Sequence, residues 1–510
     1  MTSESLPSLT QRAVSGTAWS TLSTAGKQAL SIASVATVAR LLGPGAYGVM
    51  GMANLLIIFI LNFRDLGTGT AIVQRLSVSD RLLSSLFWVN FLLGMLMSGG
   101  IAAASPLAAH FFNTPELVPI LCTLSLSFWL TSCGVVHASL LLRGMHFKAY
   151  AVVDLTSALA SYLIALTCAY SGLGVWSLVL ANVANSFTST LGYWLASAWR
   201  PGLVFDGAEV KSITHFSLNL SGFGIVNYFA RNADNIIVGR MLGKAPLGDY
   251  QTAYNLMLTP IQNISSVIGQ VTLPAFAKIQ DDNERFRFAY VKSCMLVALI
   301  TFPVMAGLGV VAHPLIIAVL GDKWVGAIRV FQILAPVGLV QSVQTSVGQI
   351  YVAKGRTDWN FRFGTVYCVV LIAAFLAGAQ FGTVGVATAY SVTYLGLLMV
   401  PGFAIPFRLI GLKLSAFLSA MLPQLLLTAG MTLMCWIWLR VLDSLSVTNP
   451  WAQLVSTSFL GAAVYICSFV LLWPTVMRHL EEALRTSRKG ARFTGYLLHA
   501  RRFCMRGIRQ

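Results

Sequence analysis

The chain is dominated by apolar stretches of about 20 residues that are separated by short polar segments, and about fourteen such stretches can be recognised. An α-helix of this length crosses the hydrocarbon core of a bilayer, where every backbone polar group needs an internal partner. Charged residues make up only 10% of the chain, against roughly 25% in soluble domains. We therefore predict an all-α polytopic membrane protein with about 14 transmembrane helices. The predicted spans cover residues 15–39, 46–63, 82–104, 117–141, 150–170, 173–198, 212–238, 247–273, 288–311, 326–352, 363–380, 383–407, 414–439 and 452–473. The first and seventh are the most polar.

The basic residues predict the orientation of these spans. If the N-terminus lies inside, about 26 of the 34 Lys and Arg residues fall in cytoplasmic segments, nine of them in the tail. Residues 1–16 contain no apolar signal-peptide core, so the first span is expected to be retained. Both termini are thus predicted to be cytoplasmic. The net charge of +17 then reflects topology and attraction to anionic lipid, and we expect no nucleic-acid partner.

Ordered sequence matches indicate an internal repeat. The motif R-L-L-G at 40–43 returns as R-M-L-G at 240–243, an offset of 200 residues. Further ordered matches pair Tyr47 with Tyr250, Pro106 with Pro314, Arg143 with Lys354 and Gly174 with Gly385, at offsets of 203, 208, 211 and 211. Each repeat holds six spans, so the halves share one orientation and are related by an axis along the membrane normal. The predicted organisation is an N-terminal six-helix bundle (1–205), a second bundle that repeats it (206–410), two additional helices (411–475) and a basic cytoplasmic tail (476–510).

Few charges fall inside the predicted spans. Ionisable residues within a membrane are costly and usually face protein or a water-filled cavity. Lys27 lies in span 1, Asp154 in span 5, and Arg231 and Asp234 in span 7. At the offset of 200, Arg231 and Asp234 correspond to Ser31 and Ser34. Polar residues continue the two equivalent helix faces as Ser20, Thr24, Lys27, Ser31 and Ser34 in one helix, and Ser217, Ser221, Asn227, Arg231 and Asp234 in the other. We predict that both faces line a central cavity.

These charges support different interpretations. Lys27 has no acidic partner at helical spacing, so a water-filled site or an anionic ligand is expected to stabilise it. Arg231 and Asp234 stand at i and i+3, so a purely structural ion pair is the alternative to a cavity role. Asp154, at the start of its span, is either an interfacial or capping acid or a group that couples transport to protons or sodium.

Two further pairs of residues are candidates for gating or capping. Arg64 and Asp65 end span 2 at the predicted cytoplasmic side, where they either brace an inner gate or form a structural turn. Arg40 and Arg240 follow the first helix of each repeat, and each is expected to satisfy carbonyl groups at a helix C-terminus.

Several chemistries find no support in the sequence. The chain contains no GxxxxGK[ST], HExxH or GxSxG motif, and no CxxC. We predict no metal site and no cofactor. Short outer connections also argue against a membrane-embedded enzyme of polysaccharide assembly.

Three blocks resemble a known family. A-R-L-L-G-P-G-A-Y-G at 39–48, R-D-L-G-T-G-T-A-I-V-Q-R at 64–75 and R-N-A-D-N-I-I-V-G-R-M-L-G at 231–243 are similar to the Wzx-type polysaccharide flippases. The chain looks closest to the colanic-acid-exporter-like branch of the multidrug/oligosaccharidyl-lipid/polysaccharide exporter superfamily.

The resemblance implies two six-helix bundles around a central cavity and a bacterial inner-membrane location. It implies transport of an undecaprenyl-pyrophosphate-linked oligosaccharide from the inner to the outer leaflet, for lipopolysaccharide or exopolysaccharide synthesis. Cavity cations would hold the pyrophosphate, and Arg231 lies in the matching block, whereas Lys27 comes from the polar stripe. Membrane lipid and polymerase or export machinery are the expected partners. A multidrug antiporter of the superfamily, an assembly enzyme and a scaffold remain the alternatives.

Overall fold

A computed structural model describes residues 9–64, 68–75, 77–207 and 218–485, and this part of the chain contains helices and no strands. The predicted all-α class is confirmed. The helices of seven or more residues are α1 Leu9–Ser34, α2 Pro44–Arg64, α3 Thr68–Gln74, α4 Asp80–Phe111, α5 Leu117–Arg143, α6 Phe147–Tyr170, α7 Trp176–Ala196, α8 Leu218–Met241, α9 Lys244–Lys278, α10 Asn283–Val310, α11 Ala312–Val319, α12 Val325–Gln344, α13 Val347–Ala353, α14 Thr357–Ala379, α15 Gly382–Val392, α16 Met399–Ile410, α17 Leu414–Ser444 and α18 Pro450–Arg485. A π-helical turn, Val35–Ala39, continues α1, and another, Thr393–Leu398, joins α15 to α16.

Ten helical segments of the described residues are long and apolar enough to cross a membrane. Helices α1, α7, α8 and α9 occupy the positions of the predicted spans 1, 6, 7 and 8, but they fall outside this group of ten. Two of these, α1 and α8, are the spans that the sequence marks as most polar. The protein is thus a multi-pass membrane protein, and the count of fourteen crossings stays a prediction.

Large apolar side chains on the outer surfaces of the helices fit this setting. Leu96 on α4 is 72% exposed, and Leu195 on α7 and Phe459 on α18 are exposed to a similar extent. Exposed apolar surface of this kind recurs along most of the described helices. In a bilayer it contacts lipid chains.

The chain divides into two compact units. Unit 1 comprises Met1–Gln251 and Val319–Trp324, and unit 2 comprises Thr252–Ala318 and Val325–Gln510. Aromatic residues build the core of each: Phe87, Trp88, Phe91, Trp194 and Trp199 in unit 1, and Phe276, Phe286, Tyr290, Phe403, Phe407 and Phe417 in unit 2. The first unit extends past the predicted bundle boundary at residue 205, because α8 packs on α2 within it.

Residues with left-handed backbone conformation recur at equivalent places along the chain. The pairs are Gly43 and Gly243 (φ 79° and 90°), Asn113 and Gly321 (51° and 90°), Met145 and Gly355 (54° and 63°), and Gly172 and Gly382 (76° and 75°). Their offsets are 200, 208, 210 and 210 residues. Because such a conformation marks a tight turn, the same turns follow the same helices in both halves. This pattern supports the predicted duplication and places the later matches at 210 rather than 211.

Two glycines in unit 1 make a reciprocal close contact between α2 and α9. A Cβ atom built at Gly48 would lie 1.7 Å from the carbonyl oxygen of Lys244, and one built at Gly248 would lie 2.0 Å from that of Pro44. These two contacts are related by the offset of 200. The register of the repeat is therefore unbroken at residue 48, so the match of Tyr47 to Tyr250 at 203 was wrong.

Alanine at either glycine is expected to destabilise the protein. Since the added methyl group would overlap a backbone carbonyl, Gly48→Ala and Gly248→Ala should each cost about 1–3 kcal/mol. The measurement is the midpoint of thermal unfolding of the purified protein in detergent. Gly45→Ala is the matched control, because a Cβ there meets no atom within 4 Å. Equal midpoints for Gly48→Ala and Gly45→Ala would contradict the close contact.

Candidate functional site

A continuous polar face runs along α1 on the surface of unit 1. Ser20, Thr24, Lys27 and Ser31 are all exposed, whereas Ser34 is partly buried where the π-helical turn begins. Spacings of three and four residues place these side chains above one another. We call this set, from Ser20 to Ser31, the α1 polar face.

Lys27 pairs with an acid from another helix. Its Nζ contacts Oδ2 of Asp154 on α6, and the buried Ser23 hydroxyl donates to the same oxygen at 3.3 Å. Lys27 therefore has an acidic partner that lies outside helical spacing, while its role in a cavity stays a prediction. Asp154 cannot cap α6 or belong to its first turn, because that helix begins at Phe147.

Glycines allow α1 and α6 to approach closely enough for the ion pair. A Cβ atom at Gly16 would lie 2.4 Å from the Phe147 ring, and one at Gly26 would lie 2.5 Å from the Leu155 side chain. Small residues commonly permit such close packing of membrane helices. Gly26 directly precedes Lys27 and Leu155 directly follows Asp154, so the tight contact and the ion pair occur at the same level.

Arg231 and Asp234, which the sequence placed on one polar stripe of α8, lie in different environments. Arg231 is exposed and forms no ion pair with the side chains that the structure describes. Asp234 is only 5% exposed, and its carboxylate accepts hydrogen bonds from the Tyr250 hydroxyl at 3.1 Å and from the Asn235 backbone N–H at 2.8 Å. The alternative of an Arg231–Asp234 pair is not realised, and the predicted stripe does not extend to Asp234.

Contacts to α2 position the exposed Arg231. Tyr228, just under one turn before it, donates from its hydroxyl to the Leu55 carbonyl at 2.7 Å and packs on Phe59 with ring centroids 5.2 Å apart. This contact fixes α8 against α2 immediately below the arginine. The side chain of Asn227, which the stripe also included, lies outside the described part, as do those of Ser217 and Ser221.

Two residues of unit 1 donate hydrogen bonds to carbonyl groups at the end of the first helix. Lys323 donates to the Leu41 carbonyl at 2.7 Å, and the Trp324 indole donates to that of Ala39 at 2.9 Å. The Arg40 side chain lies along Gly321, and its role as a partner of helix carbonyls stays a prediction. The equivalent Arg240 lies over the Phe111 ring, 5.7 Å from its centroid. The side chain of Arg64 and the whole of Asp65 lie outside the described residues.

Comparison with known proteins identifies the class. The family described as "Polysaccharide biosynthesis protein" matches residues 37–329, and the chain belongs to it. Lipopolysaccharide biosynthesis protein WzxC of Escherichia coli (strain K12) is 32% identical over 386 residues, which are 74% of this chain and 78% of that protein. Teichuronic acid biosynthesis protein TuaB of Bacillus subtilis (strain 168) is 26% identical over 84% of this chain and 89% of its own length. The resemblance to Wzx-type proteins is confirmed.

A solved structure shares the fold. The lipid II flippase MurJ in an inward closed conformation superposes with a TM-score of 0.67, covering 90% of this chain and 99% of that one at 15% identity. At this identity the likeness concerns the architecture alone.

Water should reach the α1 polar face. Single cysteines at Thr24 or Ser31, in a variant lacking the native cysteines, should react readily with a charged, membrane-impermeant thiol reagent, as mass spectrometry would measure. The exposed Leu96→Cys is the lipid-facing control, and the buried Ser23→Cys is the packed control. If Thr24→Cys and Ser31→Cys react no faster than Leu96→Cys, the face lies against lipid.

Proposed function

We propose that this protein is a flippase that moves a lipid-linked oligosaccharide from the inner to the outer leaflet of the bacterial cytoplasmic membrane. The cargo would serve the synthesis of a surface polysaccharide, as the family suggests. The observation that carries the proposal is the α1 polar face, which presents an exposed lysine on a helix that we propose crosses the membrane. Both termini lie in the cytoplasm, in agreement with the excess of basic residues on that side.

A polyprenyl pyrophosphate head group suits these cations. The charges and sugars of the cargo are strongly disfavoured in hydrocarbon, whereas its polyprenyl tail partitions into hydrocarbon. Lys27 retains 43% of its side-chain exposure although it is paired, and the Arg231 side chain is also exposed, so both can reach a ligand. Arginine binds phosphate oxygens in bidentate fashion, and lysine binds them as a mobile point charge. An undecaprenyl-pyrophosphate-linked oligosaccharide therefore fits the proposed site.

Alternating access is the proposed mechanism. The head group enters from the cytoplasmic side, contacts Lys27 and Arg231, and leaves on the outer side, while the tail remains in lipid. Two acids within the predicted spans are the candidates for coupling transport to protons or sodium. Asp154 is a candidate because it forms an ion pair with Lys27, and Asp234 is one because burial penalises its charged form. Polysaccharide polymerase or export machinery would accept the product in the outer leaflet.

A multidrug antiporter is the less favoured function. Capture of an organic cation calls for an accessible carboxylate within the membrane. Of the acids discussed for the described helices, Asp154 is neutralised by Lys27, and Asp234 is buried beside Tyr250. The exposed ionic groups at these sites are cations, and they favour an anionic cargo. The following experiment distinguishes a flippase from a scaffold without transport activity.

Removal of either cation should impair export. Lys27→Ala and Arg231→Ala should each lower the surface polysaccharide made by a strain that depends on this protein by roughly tenfold, since a charge-assisted hydrogen bond contributes about 1.5–3 kcal/mol. Lys27→Arg should retain most of the activity, because the charge remains. Polysaccharide is measured per amount of protein in the membrane.

The matched control is Arg440→Ala, which removes an exposed cation that lies over the Trp436 ring, 5.2 Å from its centroid. This variant should export normally. Undiminished export by both Lys27→Ala and Arg231→Ala at normal protein levels would refute capture of an anionic head group and would favour the scaffold.

A further inference from the structure

The ion pair on the α1 polar face is asymmetric in its exposure. Lys27 keeps 43% of its side-chain surface, whereas Asp154 keeps 22%. Lysine also has a flexible four-carbon stem, while the aspartate is short and attached to the packed helix α6. The cation can thus swing away from the pair, and the acid stays in place.

A second contact holds Asp154 when Lys27 leaves. The hydroxyl of Ser23, 4% exposed, donates to the same Oδ2 atom that contacts Lys27. Ser23 lies one turn before Lys27 on α1, and Gly26 keeps that helix close to α6. The carboxylate therefore retains a hydrogen bond in both positions of the lysine.

We propose that Asp154 is a built-in counterion that competes with the pyrophosphate of the cargo for Lys27. This inference rests on the proposed function, since it takes the cargo to be anionic. In the empty protein Asp154 neutralises Lys27, which would otherwise be an uncompensated charge at membrane depth. When the pyrophosphate arrives, Lys27 leaves Asp154 and pairs with the phosphate oxygens. When the cargo departs, Lys27 pairs with Asp154 again.

The exchange weakens binding and speeds release. When only a fraction of the protein is competent to bind, the apparent Kd equals the intrinsic Kd divided by that fraction. Asp154 thus lowers affinity for the head group and keeps the protein from being trapped with its cargo. Arg231 has no such counterion among the described residues, so the effect is confined to Lys27.

The test is a binding titration with Asp154→Asn. Purified full-length protein in lipid nanodiscs is titrated calorimetrically with farnesyl diphosphate, a short polyprenyl diphosphate. Asp154→Asn should bind about tenfold more tightly than the wild type, which is about 1.4 kcal/mol. Lys27→Gln with Asp154→Asn should bind no more tightly than Lys27→Gln alone, because the lysine carries the whole effect. In cells, Asp154→Asn should export more slowly despite tighter binding.

Asp358→Asn is the matched control, since it removes an acid that is paired with Arg356 at 3.0 Å on an exposed surface. Its affinity should equal that of the wild type. Asp154→Ser serves as a second neutral variant if Asp154→Asn is not recovered folded.

The outcomes separate the two proposals. If the wild type binds farnesyl diphosphate and the neutral variants at residue 154 bind it equally or more weakly, Asp154 is a structural brace for Lys27; the counterion role is then overturned and the flippase stands. If neither the wild type nor these variants bind the diphosphate, the anionic head-group site itself is refuted, and this inference falls with it.

Discussion

A charge inside an apolar membrane helix must be paired, hydrated or bound to a ligand, and Asp154, within the apolar helix α6, is such a charge in unit 1. The ion pair of Lys27 and Asp154 joins α1 to α6, and Ser23 and Gly26 serve the same contact. The remaining exposure of Lys27 is what distinguishes the pair from a closed structural bridge. Removing one partner of such a pair leaves an uncompensated charge, so the geometry of α1 and α6 and the chemistry of the site are tied together.

Backbone turns and close helix contacts recur at the spacing of the predicted duplication. Left-handed turns recur at Gly43 and Gly243 and again at Gly172 and Gly382, and they end equivalent helices. Gly48 and Gly248 contact each other's helices in a reciprocal arrangement that the offset of 200 relates. Pseudo-equivalent positions nevertheless differ in chemistry, since Arg231 corresponds to the uncharged Ser31. Within the predicted repeat, Lys27 and Arg231 therefore occupy positions that are not equivalent.

The sequence predicted the helical class and the family correctly, because hydrocarbon thickness dictates the length of a span and because the motif blocks at 39–48 and 231–243 are local. It failed where a contact joins distant segments. Asp154 is 127 residues from Lys27, so helical spacing along α1 could not reveal it.

The burial of Asp234 was not predicted, for a similar reason. Its neighbour Tyr250 belongs to the next helix, and burial there outweighs the simple i, i+3 pairing with Arg231. Two weak signals were present: a serine one turn before Lys27, and a glycine beside it, both typical of a close helix contact.

Reconstituted transport tests the central claim most directly. Purified protein is incorporated into vesicles with a polyprenyl diphosphate whose attached glycan carries a fluorophore, and an external quencher reports the leaflet of the head group, with and without imposed proton or sodium gradients. The account predicts that fluorophore initially protected in the inner leaflet becomes quenchable at a rate that rises with the amount of protein. Translocation no faster than in protein-free vesicles under any of these gradients would contradict it.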